Sequence, residues 1–157
     1  MNVQTIPPAA DTGALLAGAQ FSDAFRVAVD GTALDARKAA QKMLGRQPQW
    51  IAALMALRDY LVTPLGLKTS DPNNRTTTDV IGIFPVLSQS PGRLVAGFDD
   101  SHLDFRVVVD VASSGPGQQV TATTLVLTHN RLGRIYLAII LPFHRLIVRS
   151  MLRQVAA

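Results

Sequence analysis

The last part of the chain, residues 131–157, places the tightest limit on what this sequence can fold into. It carries five arginines and no acidic residue, whereas residues 1–130 carry ten basic and eleven acidic side chains. On a helix, which turns by about 100° per residue, all five fall within one arc: Arg131, Arg134, Arg145, Arg149 and Arg153. Apolar side chains occupy the opposite side, so the segment predicts a long amphipathic helix that packs against the rest of the domain.

This predicted helix has a start signal and a bend. Asn130 is a suitable N-cap, because its side-chain oxygen can accept a hydrogen bond from the first turn. Pro142 lies within the arginine arc, where a missing hydrogen bond faces solvent and bends the helix. The side expected to face the domain carries Leu132, Tyr136, Ile140, Phe143, Ile147, Val148 and Met151. A helix bent in this way can wrap across a curved sheet.

Residues 80–128 show the patterns of strands separated by tight turns. Within residues 102–112, one face of a strand would carry Leu103, Phe105, Val107, Val109 and Val111. The other face would carry His102, Asp104, Arg106, Val108 and Asp110. Further strands are predicted over residues 81–87, 94–98 and 119–128, with turns rich in Ser, Pro and Gly between them. Successive strands joined by short turns predict an antiparallel sheet.

The N-terminal half predicts one strand followed by two short helices. Residues 1–20 are expected to form an irregular lead-in. Asp35 is a candidate N-cap for a helix over residues 34–44, and Pro48 suits the first turn of a second helix. Residues 21–157 are therefore predicted to form a single α+β domain.

Composition and charge exclude several classes of protein. With 48% apolar and 17% charged residues the chain is not of the disordered type, and without cysteine it has no disulfide and no thiolate zinc site. No Lys or Arg precedes Arg26, and the longest strongly apolar stretch is shorter than the roughly 20 residues of a membrane span. We therefore expect a soluble, cytoplasmic protein without a membrane span. Because the excess positive charge is confined to one element, nucleic acid is not an expected partner.

Short sequence patterns in a fixed order carry a resemblance to a known family. They are Trp50 with Leu57-Arg58-Asp59, Gly66-Leu67-Lys68, Ile81-Gly82 with Phe84-Pro85-Val86, His102-Leu103-Asp104-Phe105-Arg106, His129-Asn130 with Leu132-Gly133-Arg134, and Pro142-Phe143-His144-Arg145. On these patterns the chain resembles a bacterial family of uncharacterised proteins, the domain of unknown function family 2867. The order of its elements is also similar to the helix-grip fold of the START-like (SRPBCC) superfamily, which includes lipid-transfer proteins and polyketide cyclases. That resemblance implies a curved antiparallel sheet wrapped on the long C-terminal helix.

The resemblance also implies an internal cavity, and hence a domain that binds an apolar or amphipathic small molecule. Polar groups that project from the last helix would fix the ligand's head group, so Tyr136 and His144 are the first candidate ligand-binding residues. His102, Arg106 and His129 are further candidates. No cofactor and no metal site are predicted, because the three histidines have no ligand spacing.

Other interpretations of the same residues stay open. His144 also suits a core histidine satisfied by a neighbour, and the arginines suit the solvated face of a packed helix. A cyclase- or hydratase-like enzyme would use a cavity histidine, either His144 or His102 with Asp104 as an acid–base pair. An interaction module would act through the basic helix, and a homodimer is left open as its assembly.

Overall fold

The computed structural model describes residues 3–8, 15–31, 33–44, 80–81, 84–99 and 103–156. Its strands are β1 (Gln4–Ile6), β2 (Phe21–Val29), β3 (Val80–Ile81), β4 (Phe84–Gln89), β5 (Arg93–Asp99), β6 (Leu103–Ser114) and β7 (Gly117–Thr128). Its helices are α1 (Ala36–Leu44) and α2 (Arg131–Ala156). The second short helix, which the sequence predicts to start near Pro48, lies outside the described residues.

Within these ranges the strands form one sheet in the order β1-β2-β7-β6-β5-β4-β3. Every neighbouring pair is antiparallel. The long β6–β7 hairpin closes where Ser114 pairs with Gly117, and Gly115 in its turn has a φ of 58°, which favours glycine. The predicted α+β architecture with a curved antiparallel sheet is thus confirmed.

The sequence predicts an irregular lead-in over residues 1–20, but this segment contains the strand β1. Strand β1 pairs with β2, with Thr5 opposite Phe25. Arg26 donates a hydrogen bond to Oε1 of Gln4 at 3.0 Å, and the side chain of Val3 is buried in the core. Three residues are too few to show an alternating pattern, so this strand forms because β2 offers an unpaired edge.

The hydrophobic core lies between one face of the sheet, helix α1 and the second half of α2. Its large, fully buried side chains include Phe25, Met43, Leu94, Val109 and Leu152. Helix α1 is fixed at its start by Asp35, whose Oδ1 accepts the N–H of Lys38 at 2.8 Å. The predicted cap is confirmed, and it brings the buried side of α1 against β5, β6 and α2.

Helix α2 consists of two halves that meet at a bend. Asn130 caps its start, as predicted, because its Oδ1 accepts the N–H of Gly133 at 3.0 Å. The segments Arg131–Ile139 and Leu141–Val155 are inclined to each other by 56°, and Pro142 is exposed beside the bend. The second half supplies the buried side chains of Val148, Met151, Leu152 and Val155.

Helix α2 leaves large apolar side chains exposed, and the sequence pattern assigns one of them to the domain-facing side. Phe143, which the pattern assigns to the domain-facing side, is 42% exposed. Ile135, Ile139 and Leu146 are exposed as well. The predicted arc assumes a straight helix, and across the bend the two halves no longer turn the same side to the sheet. No single helix among the described residues has the length and hydropathy to cross a membrane, although the two segments of α2 reach them when joined across their bend.

Candidate functional site

A groove of about 420 Å³ opens between the first half of α2 and the adjoining ends of β2 and β7. Its described lining consists of Gln20, Thr128, Arg134, Leu137, Ala138 and Leu141. The four helix residues share one side because positions three and four apart are neighbours on a helix. Most of the wall is apolar, and its volume lies within the range of about 300–1,000 Å³ that small-molecule sites occupy.

The polar end of the groove is held by a glutamine that acts like a neighbouring strand. Nε2 of Gln20 donates to the carbonyl oxygen of Thr128 at 3.2 Å, and the N–H of Thr128 donates to Oε1 of Gln20 at 2.7 Å. Gln118 makes the same pair of bonds with the backbone of Leu34 at the other end of β7. Each side-chain amide pairs with one backbone N–H and one backbone carbonyl, so both ends of β7 are fixed.

Thr128 also carries a buried polar atom with no partner. The residue is 7% exposed, and its Oγ1 makes no hydrogen bond within the described part of the chain. A buried hydroxyl that lacks a hydrogen bond costs about 1–3 kcal/mol. Thr128 lines the groove through its other atoms, since Oγ1 has almost no accessible surface.

His144 pairs with an aspartate on the sheet. Its Nε2 lies 3.1 Å from Oδ1 and 3.0 Å from Oδ2 of Asp23 on β2, and both side chains are largely buried. The imidazole also meets the ring of Phe21 edge-on, with 5.6 Å between the ring centroids. Since an ionised carboxylate only accepts hydrogen bonds, Nε2 is the donor. His144 follows Leu141 by three residues on α2, but it is not among the described residues that line the groove.

His129 pairs with a second aspartate. Its Nε2 lies 2.9 Å from Oδ1 of Asp104 on β6, and its side chain is 39% exposed. The residue stands between the end of β7 and Asn130, the cap of α2. The pair therefore ties the β6–β7 hairpin to the start of the last helix.

The other predicted site residues lie apart from these pairs or outside the description. Arg106 on β6 donates from Nη1 to the carbonyl oxygen of Phe105 at 2.9 Å. Tyr136 belongs to the first half of α2, but its side chain is not among those described. His102 lies outside the described residues. Val108, which lies on the same face of β6 as Arg106, is fully buried, so this face of the strand is covered in part.

None of the five predicted residues is among the six described residues that line the groove. Gln20 and Thr128 carried no distinguishing signal, since Thr128 is one of several threonines in β7. The His129–Asp104 pair had one, because counting back from the Gly115 turn puts Asp104 opposite Leu127, two residues from His129. In the described part of the chain, no three histidine or aspartate side chains come together as metal ligands.

One family model matches the chain. It is described as a protein of unknown function (DUF2867), and it covers residues 15–151. The chain belongs to this family. The DUF2867 segment includes the six groove residues and both histidine–aspartate pairs. No curated protein and no solved structure matches the chain.

Proposed function

We propose that this protein is a small-molecule-binding domain whose ligand is amphipathic and lies in the groove beneath the first half of α2. The observation that carries the proposal is one groove that combines an apolar wall with the side chain of Arg134. The similarity of the element order to the START-like helix-grip fold supports it, since that fold implies a ligand between sheet and last helix.

The lining residues indicate the chemistry of the ligand. The side chains of Leu137, Ala138 and Leu141 cannot form hydrogen bonds, so they would contact the apolar body of the ligand. Arg134 favours an anionic head group, because a guanidinium binds carboxylate or phosphate by charge-assisted hydrogen bonds. We include His144 among the binding residues, because it continues the helix side that carries Leu141.

A direct test joins native mass spectrometry of freshly purified protein to titration with anilinonaphthalene sulfonate, a probe with apolar rings and one anionic group. We expect a saturable complex with one probe molecule. Arg134→Gln should weaken binding by roughly ten-fold or more, since a hydrogen bond to a charged group contributes about 1.5–3 kcal/mol. Ala138→Trp should block the groove.

The control is Ile139→Ser, which removes an exposed apolar side chain of the same helix half that is not among the groove residues. It should leave probe affinity unchanged. Equal affinity of the wild type and Ala138→Trp, or loss of binding in Ile139→Ser alone, would show that the probe binds the surface and would refute the groove.

A second candidate is acid–base catalysis in the same groove, of the cyclase or hydratase kind. The specific observation in its favour is that Asp23 orients the imidazole of His144, which follows the groove residue Leu141 by three positions on α2. Incubating the protein with its co-purifying compound should then change the compound's mass by one water or yield an isomer. His144→Gln should abolish this change while binding persists. An unchanged compound after prolonged incubation would leave binding as the only function.

A further inference from the structure

Helix α2 exposes large apolar side chains on both sides of its bend. Ile135, Ile139, Phe143 and Leu146 are 56%, 62%, 42% and 61% exposed. Within each segment the spacing of three or four residues puts the two side chains on one side of the helix, and we call the four residues the apolar ridge. Leu87 on β4 is the other large apolar side chain found exposed within the described ranges. The ridge therefore concentrates exposed apolar surface on one element.

Arginines lie beside the ridge along the same helix. Arg131, Arg134, Arg145 and Arg153 are exposed, and we call them the basic row. Arg149 is held to the body of the domain, since its Nη2 donates to Oγ1 of Thr5 at 3.3 Å and its guanidinium carbon lies 5.7 Å from the ring centroid of Phe25. Asp110 is the last acidic residue of the chain, so no acid on α2 offsets the basic row.

We propose that the apolar ridge and the basic row together bind an anionic membrane surface, with α2 lying in the plane of the interface. A helix with arginines beside large apolar side chains suits that position, because the apolar groups enter the boundary between head groups and acyl chains while the arginines meet lipid phosphates. Each arginine near such a surface adds electrostatic attraction. This activity goes beyond the proposed ligand binding and does not depend on it.

The charge of the helix favours lipid over a second copy of the chain. A symmetric dimer places the same patch of each copy against itself. The basic row would then lie close to the basic row of the partner, and α2 has no acidic residue to neutralise it. An anionic bilayer supplies negative charge and an apolar boundary at once, and it adapts to the shape of the ridge.

The experiment is co-sedimentation of the full chain with phosphatidylcholine vesicles, with and without phosphatidylglycerol, at low and high salt. We expect binding to the vesicles that contain phosphatidylglycerol, and weaker binding at high salt because salt screens the arginines. Arg131→Gln with Arg145→Gln should lower the partition coefficient by roughly thirty-fold, since each lost charge is worth about five-fold. Ile139→Ser with Phe143→Ser should also release the protein.

Matched controls come from the same chain. Lys38→Gln with Lys42→Gln removes two exposed charges from α1, and Leu87→Ser removes an exposed apolar side chain from β4. Both variants should bind as the wild type does. Absence of binding to vesicles with phosphatidylglycerol, or equal loss in the controls, overturns the proposal. A dimer in light scattering that Ile139→Ser dissociates also overturns it, because the ridge would then be an interface between copies.

Discussion

Asp23 and His144 form a contact between side chains that are 14–16% exposed, on elements far apart in the chain. Because both side chains are largely buried, water cannot fully replace the hydrogen bond that is lost when either partner is removed. Double-mutant cycles with Asp23→Asn and His144→Gln should give a coupling energy of about 1–3 kcal/mol in urea unfolding. The pair thus fastens α2 to β2 beside the groove.

The second pair provides the comparison for this first prediction. His129 is 39% exposed, so water competes for its contact with Asp104. The cycle with Asp104→Asn and His129→Gln should give a coupling energy below about 1 kcal/mol. Equal coupling in the two cycles would contradict the view that burial decides the strength of these pairs.

The hydroxyl of Thr128 leads to a prediction in the opposite direction. Thr128→Val keeps the branched shape but removes the buried oxygen that lacks a partner. The variant should be more stable than the wild type by about 1 kcal/mol in urea unfolding. A destabilised variant would mean that the hydroxyl is already satisfied in the free protein.

At the scale of the helix, a buried and an exposed leucine of the second segment of α2 should respond differently to the same substitution. Leu152 is fully buried in the core, whereas Leu146 is 61% exposed. Leu152→Ala should lower the free energy of unfolding by about 2–5 kcal/mol, and Leu146→Ala should change it by less than about 0.5 kcal/mol. Chemical denaturation of both variants measures the difference. Similar losses would show that the exposed side of this segment is packed as tightly as its buried side.

Local features of these elements could be predicted from the sequence. The caps Asp35 and Asn130, the bend near Pro142 and the antiparallel β6–β7 pairing depend on neighbours close in the chain, and all were predicted. The contact of Asp23 with His144 spans 121 residues. It depends on how the bent helix docks, which no periodicity specifies. The same bend explains why Phe143 was assigned to the wrong side.

At the scale of the whole molecule, β1 protects the sheet. This short strand covers the edge of β2, and Val3 beside it is buried. Deleting residues 1–8 should lower stability by about 1.5–3 kcal/mol for the lost valine alone. It should also cause association that rises with concentration, because residues 24–26 of β2 lose their partner strand and become free to pair with another copy.

Size-exclusion chromatography with light scattering over a range of concentrations tests this prediction. The deletion variant should elute as larger species as the concentration rises. A charged substitution on the strand itself, such as Phe25→Lys, is not a suitable control, because Phe25 is buried. Placing Thr5→Pro in the full chain is better, since it disturbs β1 alone. A deletion that stays monodisperse would mean that β2 is protected by other parts of the chain.

The cytoplasmic location and a homodimer stay predictions.

The bend of α2 also has a consequence for how many kinds of ligand one protein of this design can accept. The half after Leu141 is anchored in the core, while the half that forms the groove wall is largely exposed. Because the start of the first half is held at the end of β7 by the His129–Asp104 pair and the Asn130 cap, the angle at the bend sets the width of the groove. In the proposed binding function, ligands of different size would require different bend angles. Relatives could therefore change their ligands through substitutions at the bend while every core contact is retained.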